Sequence, residues 1–194
     1  MDALSDYEII SRVLSGHTRL FSELVERHQD RAMSLAMRLL RNREEAEGAV
    51  QDAFVRAFKA LERFEKRSSF STWLYRIVYN VCSTALSKRG ESLEHISSEK
   101  NNGDAENDIP DFSEIPDSVV EGEELKQNVV DAMNELPPLY SGIATMFYLD
   151  DLSYEEIVKI TGSPLGTVKA RLFRARTMLR DGIIRRTGIR EVAG

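Results

Sequence analysis

The chain is poor in the residues that build disulfides and metal sites. It contains one cysteine and three histidines among its 194 residues. The single thiol, Cys82, excludes a disulfide within the chain, and its place in an apolar helical run predicts a buried structural role. His17, His28 and His95 lack the spacing of metal ligands. We therefore expect neither metal nor thiol chemistry, and no cofactor.

Long hydrophobic runs and enzyme motifs are also missing. No stretch approaches the roughly 18 uninterrupted apolar residues of a membrane span. Residues 1–10 lack the basic and then apolar order of a signal peptide. We find no glycine-rich phosphate loop, no nucleophile elbow and no clustered catalytic His or Cys. The sequence thus predicts a cytoplasmic protein that is not an enzyme and has no small-molecule substrate.

Charge is distributed unevenly along the chain. The formal net charge is -6, yet residues 91–124 carry many Asp and Glu with Lys100 as their one cation, whereas residues 169–190 are crowded with arginine. Because cationic side chains neutralise DNA phosphates and acidic ones repel them, one face of the C-terminal segment is suited to DNA and the acidic middle is not.

Apolar side chains recur at helical spacing in the first 90 residues. A capping-box pair, Ser5 and Glu8, predicts the start of a short helix that Gly16 closes. The spacing then predicts three longer helices, over about residues 18–41, 43–64 and 70–85. At this spacing Trp73, Phe54 and Phe58 are predicted to be core residues.

The pattern changes after residue 90, where Ser, Asn, Asp, Glu, Gly and Pro replace the apolar positions. Such a segment buries too little apolar surface to offset its ordering entropy, which predicts a flexible linker. Helical spacing resumes at Leu125, stops at Pro137-Pro138 and returns over about 139–148. The predicted fold class is all-α, with two small helical domains at 1–90 and 119–194 joined by a flexible acidic linker at 91–118.

The segment from residue 153 onward has the pattern of a helix-turn-helix. Ser153 and Glu156 form a second capping box before a short helix. Gly162 lies where a tight turn needs a positive φ, and Ser163 and Pro164 supply an N-cap and a first-turn proline for the next helix. In DNA-binding proteins the second helix of this arrangement enters the major groove.

The second helix divides into two faces at about 100° per residue. Its predicted core side consists of Val168, Leu172, Ala175 and Leu179. Its predicted DNA-contacting residues are Thr167, Lys169, Ala170, Arg171, Phe173, Arg174 and Arg176. Arg174 is placed to reach base edges, and the flanking cations are placed to meet phosphates. The alternative is a packing helix with a solvated basic face, but the coincidence of caps, turn glycine and basic face favours DNA binding.

Residues 152–157 and 162–176 resemble the region 4 helix-turn-helix of extracytoplasmic-function sigma factors, which belong to the sigma-70 family of bacterial RNA polymerase. In the N-terminal half, residues 46–54 resemble the polymerase-contacting helix of region 2, and residues 70–80 resemble its promoter-melting segment. Two motifs in the same order and at the same separation are more specific than either one. The resemblance covers most of the chain outside the linker.

This resemblance implies a factor that directs core RNA polymerase to two promoter elements. Region 2 would bind the clamp helices of the β′ subunit and capture an unpaired base of the −10 element. Region 4 would contact the β flap and read the −35 element. The polymerase-facing positions implied here are Glu47, Val50, Gln51 and Asp52. An anti-sigma factor, in the family often anchored in the membrane, is the further partner implied, together with a role in a stress or envelope response.

The resemblance also places base capture at the loop over residues 65–69. A base outside its stack needs an aromatic or close-fitting polar pocket, and its backbone needs cations. The full set of implied −10 contacts is Arg63, Phe64, Lys66, Arg67, Ser68, Ser69, Phe70, Asn80, Thr84 and Lys88. Two positions depart from the family pattern, which usually has an acidic residue at Gly48 and a basic one at Ser141.

A stand-alone helix-turn-helix regulator is the main alternative. It would account for the C-terminal helices but would leave the basic loop, the Trp73 segment and the Gln51 helix without a role. Transcription with added core polymerase separates the two hypotheses, since only a sigma factor would start RNA synthesis at a defined promoter.

Overall fold

The computed structural model describes residues 4–90 and 123–187, and every regular element in these ranges is a helix. The α-helices are α1 (Asp6–Leu14), α2 (Phe21–Leu40), α3 (Arg43–Lys59), α4 (Phe70–Lys88), α5 (Glu123–Glu135), α6 (Pro138–Ala144), α7 (Tyr154–Thr161) and α8 (Leu165–Thr187). Short 3-10 turns occupy Thr18–Leu20 and Leu61–Arg63, and a π turn occupies Thr145–Leu149. The all-α class with two helical parts is confirmed. The predicted linker at 91–118 lies outside the described residues.

Both predicted capping boxes are present. At the start of α1 the Ser5 Oγ accepts from the Glu8 amide at 3.3 Å, and the Glu8 carboxylate accepts from the Ser5 amide at 2.8 Å. At the start of α7 the corresponding distances between Ser153 and Glu156 are 3.3 and 3.0 Å. Each box satisfies backbone donors that the first helical turn leaves without partners.

The N-terminal part, residues 4–90, is built from α1 to α4 around an apolar core, to which α6, α7 and α8 also contribute buried side chains. Cys82 lies in that core with no exposed surface, and burial raises the pKa of its thiol to about 12. The predicted structural role of Cys82 is confirmed. None of the helices in the described ranges has the length and apolar character needed to cross a membrane.

The three aromatic residues predicted as core differ in their burial. Phe54 is buried and Trp73 is half-buried, but Phe58 is 42% exposed. The Phe58 ring packs edge-on against the Phe21 ring, with the centroids 5.1 Å apart, and the rest of the Phe58 side chain is exposed to solvent. The core prediction for Phe58 is therefore wrong, because its position near the end of α3 lies at the margin of the packed face.

The C-terminal part, residues 123–187, has a second cluster of buried side chains that joins α5, α6 and α8. Its members are Met133, Leu136, Tyr140, Ala144 and Ala175. Ser141 is 1% exposed, and its Oγ donates to the Met133 carbonyl at 3.0 Å, which ties α6 to α5. A basic side chain at this position would be buried without water, so the serine fits this packing.

The two parts pack against each other, which the sequence patterns did not predict. Helix α7 lies on α4, and α6 lies on α2. The Thr72 hydroxyl donates to Glu156 Oε1 at 2.9 Å across this contact. A Cβ atom at Gly142 would lie 2.7 Å from Leu39 Cδ2, so a larger residue there would displace the buried Leu39 side chain where α6 approaches α2.

Candidate promoter and polymerase interfaces

Helices α7 and α8 form the predicted helix-turn-helix. Gly162 ends α7 with φ at 69°, as the turn pattern predicted. Helix α8 begins at Leu165, one residue later than predicted, so Pro164 precedes the helix instead of occupying its first turn. The Pro164 carbonyl accepts from the Val168 amide at 3.0 Å. Val168, Leu172 and Ala175 are buried, which confirms the predicted core side of α8.

The opposite side of α8 carries the predicted −35 residues, which differ in their surroundings. Phe173 is 50% exposed, and Thr167, Ala170, Arg174 and Arg176 are half-buried. Arg171 donates to Ser163 Oγ at 3.0 Å, and the Lys169 ammonium lies 5.8 Å from the centroid of the Tyr154 ring. Within the described ranges no hydrogen bond or ion pair holds the Arg174 guanidinium. Arg174 is thus placed to reach an external acceptor.

A strip of exposed polar side chains runs along α4. Asn80, Thr84 and Lys88 are exposed at intervals of one helical turn, as a set of contacts to one strand requires. Arg76 extends the strip by one more turn and is also exposed. Sequence reasoning did not include Arg76, although its spacing of four residues from Asn80 is the signal that identifies it.

The loop at residues 65–69 connects the 3-10 turn Leu61–Arg63 to α4. Arg67 is exposed and forms an ion pair with Glu65 at 2.8 Å. Lys66 has φ at 57°, a left-handed conformation that side chains other than glycine adopt rarely. Ser69 Oγ accepts from the Thr72 amide at 3.1 Å, so this hydroxyl caps α4.

The two phenylalanines predicted beside the captured base are buried. Phe64 is 8% exposed and Phe70 is 1% exposed. Phe70 is the first residue of α4, and its ring points inward, with its centroid 5.2 Å from that of the His28 ring. Both phenylalanines also contact Trp73. The prediction that Phe64 and Phe70 contact the captured base is therefore corrected. Both rings are packed in the core next to the loop and offer little surface to a base.

An exposed aromatic ring reaches the loop from another helix. Tyr7 of α1 is 40% exposed and lies nearly parallel to Phe64, with ring centroids 6.2 Å apart and an interplanar angle of 11°. Its hydroxyl donates to the Ser68 carbonyl at 3.2 Å, and the Lys66 ammonium lies 5.7 Å from the ring centroid. Sequence patterns did not indicate Tyr7, because Tyr7 and Ser68 are 61 residues apart.

The predicted polymerase-facing residues lie on α3. Glu47 and Gln51 are exposed, and Asp52 is half-buried beside Arg56 at 2.7 Å. Val50 is 8% exposed, because the side of α3 that carries it packs against the core. A shallow groove between α2 and α3 is lined by Gln29, Asp30, Met33, Arg43, Glu47, Val50 and Gln51. Val50 is therefore placed in this groove instead of on the open surface.

Gly48 lies on the exposed side of α3, and a Cβ atom there would meet no atom within 4 Å. Because glycine in a helix interior costs about 1 kcal/mol relative to alanine, Gly48→Ala is expected to raise the free energy of unfolding by about 1 kcal/mol in urea titrations. Gly142→Ala is the matched control and should give no gain, since its Cβ would lie 2.7 Å from Leu39 Cδ2. An unchanged or lower stability of Gly48→Ala would contradict the prediction.

Comparison with known proteins covers both parts of the chain. Residues 24–91 match the sigma-70 region 2 family, and residues 126–179 match the sigma-70 region 4 family. The ECF RNA polymerase sigma-E factor of Haemophilus influenzae is 32% identical over 185 residues, which cover 94% of this chain and 97% of that protein. The sigma-E factor of Escherichia coli K12 is 35% identical over 178 residues, covering 90% and 92%.

Solved structures share the fold. The sigma factor RpoE of Bartonella quintana, determined in complex with the anti-sigma factor NepR, has a TM-score of 0.60 at 24% identity and covers 84% of this chain and 96% of its own. A helical chain that contains both region 2 and region 4 is a sigma-70-type transcription initiation factor. This chain belongs to the ECF sigma factor family, whose members direct RNA polymerase in transcription initiation and are not enzymes.

Proposed function

We propose that the N-terminal part binds the β′ clamp helices of core RNA polymerase and captures an unpaired base of the −10 element, while the C-terminal part contacts the β flap and reads the −35 element. The domain limits proposed are 1–90 and 119–194, with an acidic linker at 91–118. One observation carries this proposal: a single chain presents both a helix-turn-helix with a basic outer face and a separate basic loop beside the exposed strip of α4.

At the −35 element, α8 would enter the major groove with Arg174 directed at base edges. An arginine that its own protein does not engage is able to pair bidentately with guanine. Lys169, Arg171 and Arg176 lie nearer the margins of this face, where phosphate contacts set the register without reading sequence. Arg171 would also stabilise the turn between α7 and α8 through its hydrogen bond to Ser163 Oγ.

At the −10 element, the unpaired strand would run along the exposed strip of α4 at Asn80, Thr84 and Lys88. The loop at 65–69 would receive the extruded base, and Arg63 and Arg67 would neutralise the adjoining phosphates. Polar side chains on a rigid helix suit this task, since an unstacked strand presents both its phosphates and its base edges.

Polymerase binding is assigned to the groove between α2 and α3. Val50 in its lining and Glu47 and Gln51 at its edge offer an apolar contact surrounded by polar groups. Such a groove fits one face of an amphipathic partner helix. Because the chain belongs to the ECF sigma factor family, we assign the β′ clamp helices as this partner.

We further infer that the protein acts in the cytoplasm and is held inactive by an anti-sigma factor, in a stress or envelope response. The support is the family membership, together with the solved RpoE structure, in which an anti-sigma factor is bound to a chain of the same fold. Co-purification of the tagged chain from its native cells under resting conditions, followed by release under envelope stress, would test this partner.

Transcription in vitro tests the proposed function. Purified chain and core enzyme are incubated with a library of promoter fragments, and the RNA 5′ ends are sequenced. We expect transcripts from a defined start site, downstream of a shared pair of −35 and −10 sequences. Enrichment of bound DNA without any initiated RNA would instead favour a stand-alone helix-turn-helix regulator.

A further inference from the structure

We propose that Tyr7 is a positioning residue for −10 base capture, which holds the loop at residues 65–69 in the shape that receives the unpaired base. This inference rests on the proposed function of that loop. Tyr7 lies on α1, ahead of the segment 24–91 that matches sigma-70 region 2. The geometry therefore adds a residue from outside the matched segment to the site.

Tyr7 contacts the loop at three points. Its ring stacks on Phe64, where the chain enters the loop, and the Lys66 ammonium lies over the ring in the middle of the loop. Its hydroxyl donates to the Ser68 carbonyl near the end of the loop. One side chain thus bridges the whole segment between the Leu61–Arg63 turn and α4.

The hydroxyl of Ser69 fixes the end of the loop by capping α4, but residues 65–68 contain little that fixes their shape. The internal ion pair, between Glu65 and Arg67, is largely exposed, and such pairs contribute little stability. Lys66 holds an unfavourable left-handed backbone conformation, which persists only where surrounding contacts determine it. Tyr7 supplies contacts to the residues on both sides of Arg67, so its removal should let the loop adopt other conformations.

Helix α1 is firmly placed, which makes it a suitable support. Asp6, next to Tyr7, accepts from Arg27 at 3.0 Å and lies 2.8 Å from His28 Nε2, and both partners belong to α2. The capping box at Ser5 fixes the same end of the helix. A binding loop held in advance loses less conformational freedom when its ligand arrives.

Two substitutions separate the contacts of Tyr7. Tyr7→Ala removes all three, whereas Tyr7→Phe removes only the hydrogen bond to Ser68. Leu14→Ala is the matched control, since Leu14 is at the other end of α1 and is 49% exposed. The assay uses full-length chain with core polymerase on a promoter that the unmodified protein opens, and it measures initial binding and the rate of strand opening separately.

We expect Tyr7→Ala to slow opening roughly tenfold, with initial binding unchanged and with a weaker preference for the captured base. Tyr7→Phe should keep most of the activity and open roughly two- to fivefold more slowly than the unmodified chain. In the free chain, trypsin should cleave after Lys66 and Arg67 faster in Tyr7→Ala than in Leu14→Ala. A merely structural role would not change base preference.

Unchanged opening, base preference and tryptic cleavage in Tyr7→Ala would overturn the inference while leaving the proposed function in place. If the unmodified chain opens no promoter with core polymerase, the proposed function fails and the role of Tyr7 fails with it. If Tyr7→Ala folds poorly, Tyr7→Phe decides: opening at the unmodified rate would reject the positioning role of the hydroxyl.

Discussion

Replacement of residues 66–69 by glycine and alanine is expected to reduce strand opening at the −10 element by roughly a hundredfold or more, while core polymerase still binds. The replacement removes the loop cations and polar groups that would receive the base and its phosphates. The groove proposed to bind polymerase lies elsewhere, between α2 and α3, and should be unaffected. Permanganate reactivity of −10 thymines reports opening, and fluorescence anisotropy of labelled chain reports binding to core enzyme.

Ser69 requires a control, because its hydroxyl caps α4. Loss of an N-cap costs about 1 kcal/mol of stability, so Ser69→Ala alone should lower the melting temperature without preventing opening. A replacement limited to 66–68 keeps the cap and should still prevent opening. Thymines that stay reactive in that variant would show that base capture occurs elsewhere.

Substitution of Arg174 is expected to lower both the affinity for the promoter and the selectivity among −35 sequences. Arg174→Ala should cost about 1–3 kcal/mol on the preferred −35 sequence and relax preference at one base position. The physical reason is that a guanidinium paired with a base edge discriminates between sequences, whereas a cation paired with a phosphate binds every duplex alike. Holoenzyme affinity for a panel of single-base −35 variants measures both effects.

Lys169→Ala provides the comparison for Arg174. Lys169 lies beside Tyr154 at the margin of the recognition face, so its loss should weaken binding equally on all sequences and reduce the salt dependence. If Arg174→Ala also weakens every −35 variant by the same factor, Arg174 contacts a phosphate and the base-reading role is wrong.

Features governed by neighbouring residues could be predicted from the sequence. The two capping boxes, the positive φ of Gly162 and the core side of α8 each follow from spacings within a turn or two of helix, and the structure confirms them. The exposed positions Asn80 and Lys88 belong to the same category, since one helical repeat fixes which side of α4 they occupy.

Features that depend on distant parts of the chain could not be predicted in this way. Burial of Val50 and Phe70 reflects how α3 and α4 pack in three dimensions, while motif resemblance assigned both to contact surfaces. The contact of Tyr7 with Ser68 joins residues 61 positions apart, and that of Thr72 with Glu156 joins residues 84 apart. Helical periodicity carries no information about such pairs.

Packing between the two parts has a consequence for promoter binding. The −10 and −35 elements are about 25 base pairs apart, or roughly 85 Å along the duplex. A compact chain of 194 residues has a radius of gyration of roughly 16 Å. The two elements therefore cannot be contacted at once while α7 stays packed on α4 and α6 on α2, so the free protein must first separate its two parts. The net charge of -6 adds repulsion from DNA.

We conclude that this chain recognises promoters as a subunit of RNA polymerase. Mobility-shift titrations of the full-length chain on its selected promoter, with and without core enzyme at physiological salt, test this claim most directly. We expect weak binding that depends little on sequence for the free chain, and tight promoter-specific binding once core enzyme is added. Tight and sequence-specific binding by the free chain, unchanged by core enzyme, would show instead that the chain recognises DNA without polymerase.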